Sequence, residues 1–208
     1  MKNTAFLLCC TGLLMACNTV ENAKRDMAAS VTETMLEKTT GFQVDAPETE
    51  NAGKGTVDVA LTLDGKSIAA TYTGGIGAIT ITPGTIAVSV AKEESETQNS
   101  VSVGFVQPEV EAMRPVQGRV KSENPGEAPL TITIGTIGAN EMSVLNAMEG
   151  TAVVESMTDR KAVIRVSAKM AAPQDSADPA KWQTLEGQIV MDYPMISTMG
   201  ISKEAVTY

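Results

Sequence analysis

Ser89-Val90-Ala91-Lys92 has the spacing at which a lysine amine can activate a serine hydroxyl for nucleophilic attack. That chemistry needs a helical turn, which stacks residues three apart. Here the flanking pattern alternates as in a strand, where residues three apart point to opposite faces. We therefore expect no nucleophile at Ser89. Glu93, Glu94 and Glu96 form one acidic cluster, and Asp175 with Asp178 forms another. Closely spaced carboxylates are the donors that calcium takes, yet neither stretch has the spacing of a calcium loop, and both read as solvated turns. Trp182 precedes a strand, where a lone indole packs on a core or edge more often than it stacks a sugar. The chain has no histidine, which removes Ser-His-Asp and Cys-His catalysis and the common zinc sites. No Gly-x-Gly-x-x-Gly joins a strand to a helix, so no nucleotide site is expected. The sequence thus offers no catalytic residue, no metal ligand set and no cofactor site.

Cysteine chemistry is the exception, and it sits at the beginning. Met1 and Lys2 make a short positive start, and residues 5–15 are an apolar run broken only by Thr11 and Gly12. Such a run suits a secretory leader and is too short to span a bilayer, which needs ~20 residues. Leu14, Met15, Ala16 and Cys17 follow as its end. This stretch resembles the lipobox of bacterial lipoproteins, in which Leu, a small or apolar residue, and Ala or Gly precede the cysteine. Met15 is bulkier than the usual occupant. Cys9 and Cys10 lie inside the apolar run without a small residue in the right frame.

The resemblance covers residues 1–17 only. It implies that residues 1–16 are a signal peptide, that Cys17 takes the lipid, and that the membrane is a partner through that lipid. Two or three acyl chains exceed what stable anchoring requires, at ~0.8 kcal/mol per buried CH₂. In that family, an aspartate after the cysteine retains the protein in the inner membrane, so Asn18 points to the outer one. The implied location is the bacterial cell envelope, anchored to the outer membrane and facing the periplasm or the cell surface.

Removing the leader leaves enough chain for one sizeable domain or two very small ones. All the cysteines then lie at or before Cys17, so the remaining domain has no disulfides and must rely on its core. The formal net charge is −9, which excludes nucleic acid or an anionic membrane surface as a partner held by a basic patch. Aromatic residues are scarce, so Val, Ile, Leu, Ala and Met must build the interior.

Residues 17–54 read as lipid anchor, helix and linker. Val20, Ala23, Met27, Val31 and Met35 recur at helical spacing. They predict a helix over 21–38, about 27 Å long, either a stalk or a helix packed on a sheet. From Gly55 the period becomes two. Val57, Val59, Leu61 and Leu63 alternate with polar or small residues before the hairpin signal Asp64-Gly65. Ile68, Ala70 and Tyr72 read as a return strand broken at Gly74-Gly75. Ile79 and Ile81 lead to the turn Pro83-Gly84, and Ile86, Val88 and Val90 follow. Residues 92–99 read as a charged loop. Val101, Val103 and Phe105 resume the alternation; residues 116–121 are a short strand, Asn124-Pro125-Gly126 a turn, and Leu130, Ile132 and Ile134 a further strand. Residues 140–150 fit either a helical turn or two or an irregular segment. Residues 151–157 and 162–169 flank a turn at 158–161. After a loop over 171–181, Leu185, Gly187, Ile189 and Met191 make a last strand ended by Pro194, and a short helix is expected in the tail from Ser197.

The expected fold is therefore all-β. It is an antiparallel β-sandwich or barrel-like domain of about nine or ten strands over residues 55–208, with one N-terminal helix. The function class that follows is not enzymatic: a lipid-anchored interaction or structural module of unknown partner. The alternative is a carrier or binder of lipid or another apolar ligand in a half-barrel or barrel. An enzyme using carboxylates alone, such as a glycoside hydrolase, comes last.

Overall fold

The computed structural model describes residues 55–94, 97–121, 127–138 and 142–208. Cys17, the helix expected over 21–38, Glu96 and the Asn124-Pro125-Gly126 turn lie outside these residues. The described chain is all-β, with strands making up 65% of the described residues as one curled, mixed half-barrel sheet. Its first half runs β1 (Thr56–Leu63), β2 (Lys66–Ser67), α1 (Ala69–Tyr72), β3 (Ile76–Thr82), β4 (Thr85–Glu94), β5 (Thr97–Val106) and β6 (Val116–Arg119). The second half runs β7 (Ala128–Gly138), β8 (Met142–Met157), β9 (Lys161–Ala171), β10 (Gln183–Asp192), β11 (Met195–Thr198) and α2 (Lys203–Val206).

Two corrections to the expected topology follow. Of the two expected layouts the barrel-like one is found, but with eleven strands instead of nine or ten, all in one sheet ordered β11-β3-β4-β5-β7-β6-β8-β9-β10-β1-β2. The sheet is mixed, because β11 pairs with β3 and β6 with β7 in parallel. Pro194 does end β10, but the chain turns there and crosses to β3 as β11.

Register makes the core. On one wall Ile81, Ile86, Phe105 and Leu130 stand side by side on successive strands. The next level holds Ile79, Val88, Val103 and Ile132, and the level after that Val90, Val101, Ile134 and Leu145. On the other wall Val59, Ile189, Ile164 and Val154 form one such level, with Val57, Met191, Ala162 and Met157 beside it. All but Leu145 are buried in one cluster, and Leu145 packs against it. Each buried Val, Leu or Ile contributes about 1.5–3 kcal/mol by leaving water. Branched aliphatics of middling size thus fill a curled sheet without many aromatics.

The curl requires close backbone approach. Gly187, at φ 135° in β10, lies against the Ala60 carbonyl, into which any Cβ would be driven. Gly150, at φ 145°, lies against Ser167 and Ala168 in the same way. These are conformations that favour glycine over any side chain. Register shifts at Ala147/Glu149 and Val154/Ser156 bend β8 as well. That strand pairs with β7 at its start and with β6 and β9 further on.

The exposed edge of β1 is covered from within the chain. Ile68 N–H donates to Leu61 O, Thr73 Oγ1 accepts from Val59 N–H, and Gly74 N–H donates to Val57 O. The expected return strand over Ile68, Ala70 and Tyr72 is therefore only β2 followed by the single turn α1. Lys92 and Asn99, expected in a loop, extend the β4–β5 ladder as paired residues. Residues 142–150, left between helix and irregular, belong to β8.

Candidate functional site

The α1 end of the half-barrel carries a polar level above the apolar ones. Lys92, Asn99, Thr136 and Ser143 stand in register on β4, β5, β7 and β8. Their alternation with Val90, Val101, Ile134 and Leu145 places them on the inward side. Lys92 Nζ donates to the Ala70 carbonyl at 2.7 Å and so tethers α1 to this level. The Thr136 hydroxyl donates to Asn99 Oδ1 at 2.8 Å, and Asn99 is buried at 5% exposure. A buried amide of this kind holds its place only because it is hydrogen-bonded.

α1 faces this level from the opposite wall. It forms where Ala69 and Ala70 favour a helix, and it ends at Gly74, at φ 82°. Ile68 and Tyr72, one turn apart, both point inward against the core. Between the two walls lies a cleft of about 200 Å³. Leu63, Ile68, Ile134 and Leu145 give it apolar sides, while Thr71, Thr136 and Ser143 bring hydroxyls to it. Tyr72 also lines it, and burial pushes the Tyr72 hydroxyl up to about 12. Among the described residues no charged side chain lines the cleft. Ile137 and Met142, a cross-strand pair on the outer face of the same β7–β8 hairpin, are 53% and 75% exposed.

Residues singled out from sequence fall elsewhere or outside. Ser89 is exposed on the outer face while Lys92 points inward, so the two do not meet. Asp175 pairs with Lys181 at 2.8 Å, and Asp178 accepts from Ala180 N–H as a cap, so both carboxylates have structural roles. Among the described residues no group of three or more His, Cys, Asp or Glu residues could hold a metal ion. The Trp182 ring is half-buried and its Nε1 is buried with no partner, an arrangement of packing rather than of an open sugar platform. The polar level and Tyr72 were missed as site residues. The signal was the pairing register, which assembles Lys92, Asn99, Thr136 and Ser143 from four strands.

The opposite end is closed by the C-terminal segment. Tyr208 exchanges two backbone hydrogen bonds with Met157; its hydroxyl accepts from Val116 N–H at 3.0 Å and donates to Val154 O at 2.7 Å. The Arg114 guanidinium lies 4.5 Å from the ring centroid and donates to the carbonyls of Glu111, Met113 and Ala205. Burial raises the Tyr208 hydroxyl above its ordinary value, against the lowering effects of the Val116 hydrogen bond and Arg114. Larger grooves, of about 440 Å³ beside Thr158 and Lys203 and about 600 Å³ beside Pro83 and Val106, lie open on turns at the surface.

No described helix is long and apolar enough to cross a membrane. No family model, curated protein or solved structure matches the chain.

Proposed function

We propose that this chain is a non-enzymatic module of the bacterial cell envelope, held to the membrane through lipid on Cys17, that binds a partner protein with the α1 end of its half-barrel. The observation that carries the reading is the filled interior beside a shallow cleft. Both walls of the sheet bury interlocking aliphatic rows. The cleft of about 200 Å³ at the α1 end is smaller than the ~300–1,000 Å³ that small-molecule ligands occupy. The exposed Ile137–Met142 pair, on the outer face of the hairpin whose inner face lines the cleft, is apolar surface of the kind a protein contact buries. The leader and lipobox at residues 14–17 support the anchor. The carrier reading keeps one point in its favour, the four apolar residues that line the cleft.

The two readings separate in a titration of the delipidated chain with a fluorescent fatty acid. The module should show no saturable uptake. Saturable binding at micromolar concentration would overturn the module and establish the carrier.

A further inference from the structure

We propose that the cleft at the α1 end takes the phenol side chain of a tyrosine presented by the partner protein. The inference rests on the interaction reading above and names what that surface recognises. The cleft has room for one large side chain and not for an acyl chain with its headgroup. Its sides are apolar at Leu63, Ile68, Ile134 and Leu145, which suits the body of an aromatic ring. Its polar groups are hydroxyls: those of Thr71, Thr136, Ser143 and Tyr72.

A group that fits must therefore be apolar along its length and neutral and hydrogen-bonding at its tip. A phenol meets both demands, because it donates one hydrogen bond and accepts another. The Thr136 hydroxyl already spends its proton on Asn99 Oδ1, so its oxygen is left as an acceptor for the incoming O–H. Ser143, its cross-strand neighbour, supplies a donor toward the phenol oxygen. A carboxylate or ammonium tip would enter the cleft without an opposite charge among the described lining residues, which disfavours it.

The test uses the whole acylated chain in lipid nanodiscs with methyl-labelled Ile and Leu, titrated with N-acetyl-tyrosinamide, N-acetyl-phenylalaninamide and octanoate. Tyrosinamide should shift the Ile68, Ile134, Leu63 and Leu145 methyls saturably. It should bind about three- to tenfold more tightly than phenylalaninamide, the ratio that one net hydrogen bond supplies. Thr136→Val should bring the two to equal affinity, with a lowered melting temperature because Asn99 Oδ1 loses its donor, and Thr136→Ser, which keeps the hydroxyl, should restore the tyrosinamide preference. Leu145→Trp should fill the cleft and abolish the shifts of the Ile68, Ile134 and Leu63 methyls while the domain stays folded. Absence of tyrosinamide shifts at millimolar concentration, or equal affinity for both amides in the unsubstituted chain, overturns the tyrosine proposal and leaves the interaction reading standing. Tighter, saturable binding of octanoate to the same methyls overturns both.

Discussion

Phe105 tests the packing most sharply, because its surroundings can be altered from either side. Its side chain is wholly buried in register with Ile86 on β4 and Leu130 on β7. The ring also depends on β6, where a Cβ added at Gly118 would stand 2.9 Å from Phe105 Cδ1. That position has little slack, since the same Cβ would stand 2.8 Å from the Ala128 carbonyl and 3.2 Å from Leu130 Cβ. Phe105→Ala removes the ring and leaves a cavity that an aliphatic sheet core fills only partly. The expected loss is about 3–5 kcal/mol. For a domain of this size, that lowers the melting temperature by roughly 6–20 °C. Gly118→Ala overpacks the same point, at about 1–3 kcal/mol. The double variant should lose less than the sum, because the clash with the ring is gone while that with the Ala128 carbonyl stays. Coupling of about 0.5 kcal/mol or more is expected. Urea denaturation of the four proteins measures it. A single-variant loss under about 1 kcal/mol, or additivity within ~0.3 kcal/mol, would refute the assigned contact and the inward facing of β5.

Cys17→Ser should abolish incorporation of labelled palmitate in cells, and label retained by the variant would end the anchor assignment. The melting temperature should be unchanged by reductant and by EDTA, since Asp175 and Asp178 already serve Lys181 and Ala180; a fall of several degrees with EDTA would restore calcium as a ligand. Tyr72, with its folded-state value raised from 10.0 to about 12, stays neutral in the fold after it ionises in the unfolded chain. Its stabilising effect is therefore complete below pH 10 and is lost as pH rises toward 12. Tyr72→Phe should flatten the decline of stability over that window, and an unchanged alkaline profile would place the Tyr72 hydroxyl in water.

The fold was legible wherever local chemistry and tertiary demand agree. Alternation marked Val57 to Leu61 and Val101 to Phe105 as inward, and all are buried. Asp64-Gly65 takes positive φ at both residues, 49° and 74°, as a type I′ hairpin requires. It failed where a pattern satisfied two periods. Ile68 and Tyr72 share a face both in a strand and across one helical turn. The edge of β1, which takes its hydrogen bonds from Ile68, Thr73 and Gly74, decides for the turn. Met142, Leu145 and Met148 mimic a helix because the register shift after Ala147 breaks the alternation of β8. β11 has no local signal at all, since its parallel partner β3 lies more than a hundred residues earlier. The polar level was hidden for a related reason. Lys92, Asn99, Thr136 and Ser143 sit at strand ends, where polar residues read as loops, and only long-range pairing puts them side by side.

The central claim is that the half-barrel is filled by its own side chains and carries no apolar cargo. The most direct measurement is organic extraction of the folded, acylated chain purified from membranes, with the extract quantified against protein by mass spectrometry. The account predicts no stoichiometric lipid beyond the chains covalently attached at Cys17. One non-covalent lipid released per chain would contradict it.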